Sequence, residues 1–480
     1  VAATDRLSAL DTGFLHLERS GAHMHVAAIF VFDGEPPAYD EMLAAVEERM
    51  HLVPRYRQKL AHVPWSQGRP VWVDDPHFNP RYHLRHSALP PPGSDEQLKN
   101  LAGRLFASPL DRTKPLWELN LVEGLDGDRF AVVSKTHHAL VDGVSGVDIT
   151  SVLFDTSPTP TPVVSEAHAW IARPEPTEAE LLAHALIERA TVPAEAARGV
   201  RALTRAPRHV LGRAGEWLVG VGAMAWAGMN PAPATVFNVP IGPHRRYTWV
   251  DADLARFKAI KNELGGTLND VVLAAVTLAL GRFLRRRGEK TDDLVLRAMV
   301  PVSVRADSER GALGNRVAAM WAPLPVGVTD PRAVLTEVAD AMRGLKESGQ
   351  AVGAQALTSL ADFAPPTIMS QAARLQSRQR FFNLVVTNVP GPQIPLYLLG
   401  RHLQAFYPVV PLAHHQALGI AIMSYDGRLG FGLLGDYDAM PDLEDLADDL
   451  EHAITELSRA AGVSVRSQAR RTRAPEPVSP

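Results

Sequence analysis

Lys135-Thr136-His137-His138-Ala139-Leu140-Val141-Asp142-Gly143 stands where an apolar run, residues 130–133, gives way to polar ones. The run reads as a buried strand, and the apolar spacing of 144–154 beyond it reads as a helix. Successive side chains on a strand point to opposite faces, so His137 and His138 do not share a pocket while that conformation lasts. One of the two is then free to be a working base while its neighbour is a packed support. Asp142 and Gly143 follow at the turn, and a carboxylate that fixes an imidazole is a sensible way to build a general base near neutral pH.

Immediately upstream, Pro115-Leu116-Trp117 opens a second strand, 116–122. It is expected to pair with 130–137 across a turn at 124–127. Trp117 reads as a core anchor rather than a participant in chemistry. Further back, 39–50 and 98–106 have helical periodicity, 25–32 and 70–74 read as strands, and 7–11 as a short opening turn. The segment 75–86 is crowded with histidine and proline. Its spacing is irregular and lacks a carboxylate cluster, so no metal site is expected there and these residues are assigned to the surface or a domain seam.

A length of 480 residues is too much for one comfortable core, and two domains are expected. The 49 basic and 53 acidic residues nearly cancel, which argues against nucleic-acid binding. With no cysteine, disulfides, thiolate metal sites and an enzyme-bound thioester are all excluded. An activated thioester would have to arrive on a carrier. The first residues lack the succession of a signal peptide, and a cytoplasmic protein is expected. The uncharged run 217–229 is too short to span a bilayer, which needs about 20 residues.

Downstream of the histidines the texture changes. Residues 157–239 read as a proline-punctuated linker containing helices. Arg198, Arg201, Arg205 and Arg208 recur at helical spacing beside 217–229, a pattern that suits either a solvated and a packed helix or an anionic membrane surface. A strand at 247–250 and a helix at 251–263, stopped by Gly265-Gly266, open the second half. Thr267, Asn269 and Asp270 then cap a long apolar helix, 271–283. Strands are expected at 294–300 and 382–387, a hairpin at 418–434 around Asp426-Gly427, and a closing helix at 443–460. The pair His414-His415 lacks an aspartate at the offset of Asp142, where Gly419 stands, and is assigned no catalysis.

The order HHxxxDG (137–143), with Pro-Leu-Trp (115–117), Asn269-Asp270, Pro301-Val-Ser-Val-Arg305, Gly314-Asn315 and Asn388-Val-Pro-Gly-Pro392, resembles the bacterial wax ester synthase/diacylglycerol acyltransferase family. That family lies within the CoA-dependent acyltransferase superfamily of chloramphenicol acetyltransferase and peptide-synthetase condensation domains. HHxxxDG alone is moderately specific; the ordered set, spanning nearly the whole chain, is much more so.

The resemblance implies an α/β fold of mixed sheets, with two chloramphenicol-acetyltransferase-like domains forming a pseudo-dimer around a channel. The corresponding division is 1–165 for the first domain, 166–240 for a linker, 241–464 for the second domain and 465–480 for a disordered tail. It also implies an O-acyltransferase that moves a long-chain acyl group from acyl-CoA to diacylglycerol or a long-chain alcohol, with no cofactor and no metal. His138 is then the general base, His137 its support, and Gly143 permits close backbone approach. Asp142 holds the loop by pairing with Arg305, while Asn269 and Asp270 line the channel or help hold the oxyanion. Lipid substrates also favour a peripheral position on the inner membrane face or lipid bodies. Two other classes remain open, a non-catalytic lipid-binding scaffold and a condensation-type enzyme using carrier-protein thioesters.

Overall fold

A computed structural model describes residues 5–18, 21–141, 149–160, 170–187, 230–303, 317–347 and 380–463. The strands run β1 (Asp5–Arg6), β2 (His25–Asp33), β3 (Gln58–Ala61), β4 (Val71–Asp74), β5 (Leu84–Ala88), β6 (Trp117–Leu125), β7 (Arg129–His137), β8 (Arg245–Asp253), β9 (Val295–Ser303), β10 (Val317–Pro325), β11 (Leu384–Pro390), β12 (Tyr397–Leu398), β13 (Arg401–Val409), β14 (Leu418–Tyr425) and β15 (Arg428–Asp436). They form two six-stranded mixed sheets, β12-β13-β2-β7-β6-β5 and β10-β9-β11-β14-β15-β8, and a small three-stranded sheet, β1-β4-β3. The α/β expectation with mixed sheets therefore holds: β5–β6, β9–β11 and β11–β14 are parallel pairs among antiparallel ones.

Alternation along β2 and β7 divides the first sheet into two packed faces. Phe30, Phe32, Phe130 and Val132 face helix Tyr39–Arg49 and the rest of the first half's own core. Ile29, Val31, Ala131 and Val133 belong instead to a core that runs on into the second half. Helix Asp95–Ala107 lies in this second layer, started by a Ser94/Gln97 capping box. It crosses β8 at Gly103, where a Cβ would press on the Arg245 carbonyl. Helix Leu268–Arg286 is apolar nearly all round, and accordingly it is buried nearly all round.

The two halves are interlocked rather than merely abutting. β11 pairs within the second sheet, yet after Gly391 the chain crosses over and β13 joins the first sheet beside β2, Phe406 opposite Phe30. The crossing is close. At Gly430 and Gly432 of β15 a Cβ would run into the Phe406 and Pro408 carbonyls of β13, while Tyr247 Oη donates to Pro408 O at 3.2 Å. Gly432→Ala should thus cost about 1–3 kcal/mol, as overpacking does. Urea unfolding would measure it, and an unchanged midpoint would show that the strands have room to separate.

Several local expectations changed on folding. Residues 7–11 were read as a turn, but a helix runs Ala9–Leu17, because Ser8 Oγ accepts from Asp11 N at 3.0 Å and nucleates it. The turn expected at 124–127 falls one residue later; Gly124 sits inside β6 at a register shift, with φ 80° and Leu89 O against it. Asp251 and Ala252 extend β8, and the following helix starts at Leu254 under an Asp253 cap. The 75–86 segment is not simply surface: His83 is buried, its ring stacked on Trp117 at 4.5 Å, and its Nδ1 lies 2.8 Å from Trp117 O. The hairpin at Asp426-Gly427, both at positive φ, and the helix Leu443–Ala460 stand where expected.

Candidate active site at the His137–His138 turn

β7 ends at His137, and His138 begins the short helix His138–Val141. Two backbone links fix that junction: His138 N donates to Met24 O at 2.8 Å, and Ala139 N donates to His137 Nδ1 at 3.1 Å. His137 thus caps the turn that carries its neighbour, and its proton is assigned to Nε2, which faces Glu18 Oε2 at 3.6 Å. His137 is 1% exposed. His138 is only partly buried, with its ring stacked on Phe14 at 4.0 Å. The adjacent rings consequently have different surroundings, one polar and enclosed, the other flanked by an aromatic face and accessible.

Glu18 gathers a group of side chains that sequence reasoning did not bring together. Its Oε1 lies 3.6 Å from His23 Nδ1 and 3.4 Å from His25 Nε2. Its Oε2 accepts from Arg112 Nε at 2.9 Å and from the Arg112 terminal nitrogen. Burial works against the charged carboxylate, but His137, His23, His25 and Arg112 outweigh it and hold Glu18 well below the usual carboxylate range. Burial also pushes His25 down to about 4, against the pull of Glu18, with Lys135 and His137 adding to the effect. The available sequence signal was His23-x-His25 at a strand start, where period two puts both rings on one side.

Lys135 points the same way as His137 along β7 and is also 1% exposed. Its ammonium lies 3.0 Å from Glu118 Oε2 and donates to Leu105 O and Ser108 O at 3.1 Å each. It therefore neutralises a carboxylate and caps the end of helix Asp95–Ala107 at once. Burial lowers its pKa, with Glu118 opposing. On the other face Trp117 Nε1 donates to Tyr56 O at 2.8 Å, the core anchor expected of it.

At the seam between the halves a small cavity is lined by His23, His25, Phe106, Arg245, Val409 and Leu434, among others. The remaining expected residues divide in two. Asn269 Oδ1 accepts from Asn388 Nδ2 at 3.2 Å, and Asp270 Oδ2 accepts from Thr267 N at 2.8 Å in a capping box. The Asn269 bond ties the helix start to β11 and the Asp270 bond closes the helix's own cap; neither reaches the histidine turn. Asp142, Gly143, Arg305, Gly314 and Asn315 lie outside the described residues, as do 198–229 and the 465–480 tail. His414 and His415 meet edge to face, ring centres 4.6 Å apart, in a loop whose carbonyls hold Ile241 and Asn238.

The two interlocked mixed sheets are a fold shared with solved condensation domains. A starter condensation domain of rhizomide synthetase, solved with C8-CoA and Leu-SNAC, shares that fold at TM-score 0.55 and 15% identity, covering 96% of this chain and 95% of its own. The wax ester synthase/diacylglycerol acyltransferase catalytic domain matches residues 7–272, and the C-terminal domain of the same family matches 313–458. The solved wax ester synthase/diacylglycerol acyltransferase of Marinobacter aquaeolei VT8 is 28% identical with TM-score 0.66, covering 95% of this chain and 100% of its own. A Mycobacterium tuberculosis relative named "Probable diacyglycerol O-acyltransferase tgs1" is 33% identical over 98% of each chain. The chain belongs to the wax ester synthase/diacylglycerol acyltransferase family and is an acyltransferase.

Proposed function

We propose that this chain moves a long-chain acyl group from acyl-CoA to diacylglycerol, giving triacylglycerol, or to a long-chain alcohol, giving a wax ester, with His138 as general base. The observation that carries this reading is the turn itself. In a chain of this family, His137 is enclosed and caps the turn, leaving His138 accessible at its start. The His138 ring takes the acceptor's hydroxyl proton as that oxygen bonds to the thioester carbonyl carbon. The C–S bond then breaks, and the departing CoA thiolate recovers the proton from the imidazolium, leaving ester and thiol. No acyl-enzyme is required, and the chain holds neither a cysteine nor a GxSxG elbow to form one.

In this proposal Gly143 allows close approach of backbone to substrate, and Asn269, at a helix start, borders the channel or helps hold the developing oxyanion, with Asp270 bordering the channel only, since its carboxylate closes the helix cap and would repel an oxyanion. Asp142 keeps the loop in shape through Arg305, because a buried carboxylate without a cation is costly. Asp142→Asn should then lose activity together with melting temperature; full activity at an unchanged melting temperature would contradict that role. We place the enzyme in the cytoplasm, peripheral on the inner membrane face or lipid bodies, on the strength of the arginine spacing beside 217–229. Among the described residues no single helix is long and apolar enough to cross a membrane. Co-sedimentation with anionic vesicles that persists after 198–229 is deleted would refute the attachment through that segment.

Labelled acyl-CoA offered with diacylglycerol and a panel of alcohols, followed by chromatography of the products, tests the main reading. Ester should form with at least one acceptor. A scaffold of the same fold would bind lipid and form none, and a condensation-type enzyme would work only with carrier-loaded donors.

A further inference from the structure

We propose that Glu18, His23 and His25 form a binding site for one divalent transition-metal ion of the zinc type, which ties the start of β2 to the end of the helix Ala9–Leu17. Four observations support it. The ligand atoms Glu18 Oε1, His23 Nδ1 and His25 Nε2 all lie within 4.8 Å of one another. The carboxylate-to-ring separations, 3.6 Å and 3.4 Å, are too long for ordinary hydrogen bonds. They match the edge of a tetrahedron, roughly 3.4 Å, around an ion that binds N and O ligands at about 2.0–2.2 Å. Both ring nitrogens of His25 are buried without a hydrogen-bond partner. Such buried polar atoms ask for an ion or a water to satisfy them.

The chemistry of the donor set agrees. Two imidazoles with one carboxylate suit zinc and its neighbours, whereas magnesium and calcium prefer oxygen. The other carboxylate oxygen is held by Arg112, which fixes the orientation of Oε1 towards the two rings. His23 and His25 also line the seam cavity, so a fourth ligand, a water, has a place to stand. His137 lies beside the site, its ring 5.9 Å from that of His25, so the ion would steady the turn bearing His138 without touching substrate.

The test uses the full-length, metal-stripped protein titrated with Zn2+ against a chromogenic chelator. One equivalent should bind and should raise the melting temperature. His23→Ala, which alters the most exposed of the three ligands, should weaken binding by at least the roughly 10–100-fold that loss of even an outer partner costs. Its melting curve in EDTA should match that of the parent, which separates lost ligation from lost folding. His86→Ala, a surface histidine outside the cluster, should bind as the parent does. Absence of stoichiometric zinc, or unchanged affinity in His23→Ala, overturns the site and leaves the acyl-transfer proposal untouched.

Discussion

His138→Ala should lower acyl transfer by about 10²–10⁴-fold, the range contributed by a positioned general base, while the protein melts as the parent does. The ring is partly exposed and is stacked on the face of Phe14. The backbone bond from His138 N to Met24 O survives the substitution. The adjacent change is expected to behave differently. His137→Ala removes the acceptor for Ala139 N and leaves Glu18 short of one of its partners inside the protein. Stability should fall by about 1–3 kcal/mol, as it does when buried polar groups are orphaned. Product formation from labelled acyl-CoA, paired with thermal melts of both variants, separates the roles. Activity within tenfold of the parent in His138→Ala would remove that residue from the chemistry.

The second large effect is one of stability. Glu118→Ala leaves the Lys135 ammonium enclosed with two carbonyls but no counter-charge, and breaking such a buried pair costs about 3–5 kcal/mol. Arg85, which also bonds Glu118 at 2.8 Å, is substantially exposed and can turn to water. The uncompensated charge is therefore that of Lys135. Urea unfolding should show the loss, and the double variant Glu118→Leu/Lys135→Met should recover most of it, because matched apolar groups replace a buried pair at little cost. A Glu118→Ala loss below about 1 kcal/mol would mean that water reaches the pair. Lys135 lies two residues before the end of the strand that leads into the histidine turn, with Glu118 opposite it on β6, so activity should decline together with stability.

Much of the local structure was legible in the sequence. Apolar runs marked β7, β14 and β15, the Asp426-Gly427 pair marked a hairpin turn, and Thr267 with Asp270 marked a helix start. Each of these is decided by neighbours a few residues apart, through alternation, φ preference or capping. The histidine turn was legible in part: the strand reaches His137 as expected, but His138 already begins a helix, so the strand-to-helix junction and not strand alternation separates the surroundings of the two rings. The helix at Ala9–Leu17 was within reach too, from Ser8 and Asp11, but was read as a turn.

What could not be read locally is what segments distant in the chain exchange. Lys135 stood in plain view in the motif, yet its partners Leu105 and Ser108 lie some thirty residues upstream and Glu118 on the neighbouring strand. His83 looked like a surface histidine until Trp117 covered it. The Glu18 cluster is assembled from a helix end, a strand start, a strand end and Arg112.

By itself, then, the sequence determined many of the strands and helices, which strand end bears the histidines, and the family whose chemistry they serve. The tertiary structure alone decided that β13 leaves its own half to complete the first sheet, and that one carboxylate draws three imidazoles and a guanidinium around it. Periodicity and capping act over one or two turns of chain, so they write themselves into sequence. Contacts between Phe30 and Phe406, or Gly432 and Pro408, depend on burial and close approach after collapse, and neither partner carries a local mark of the other.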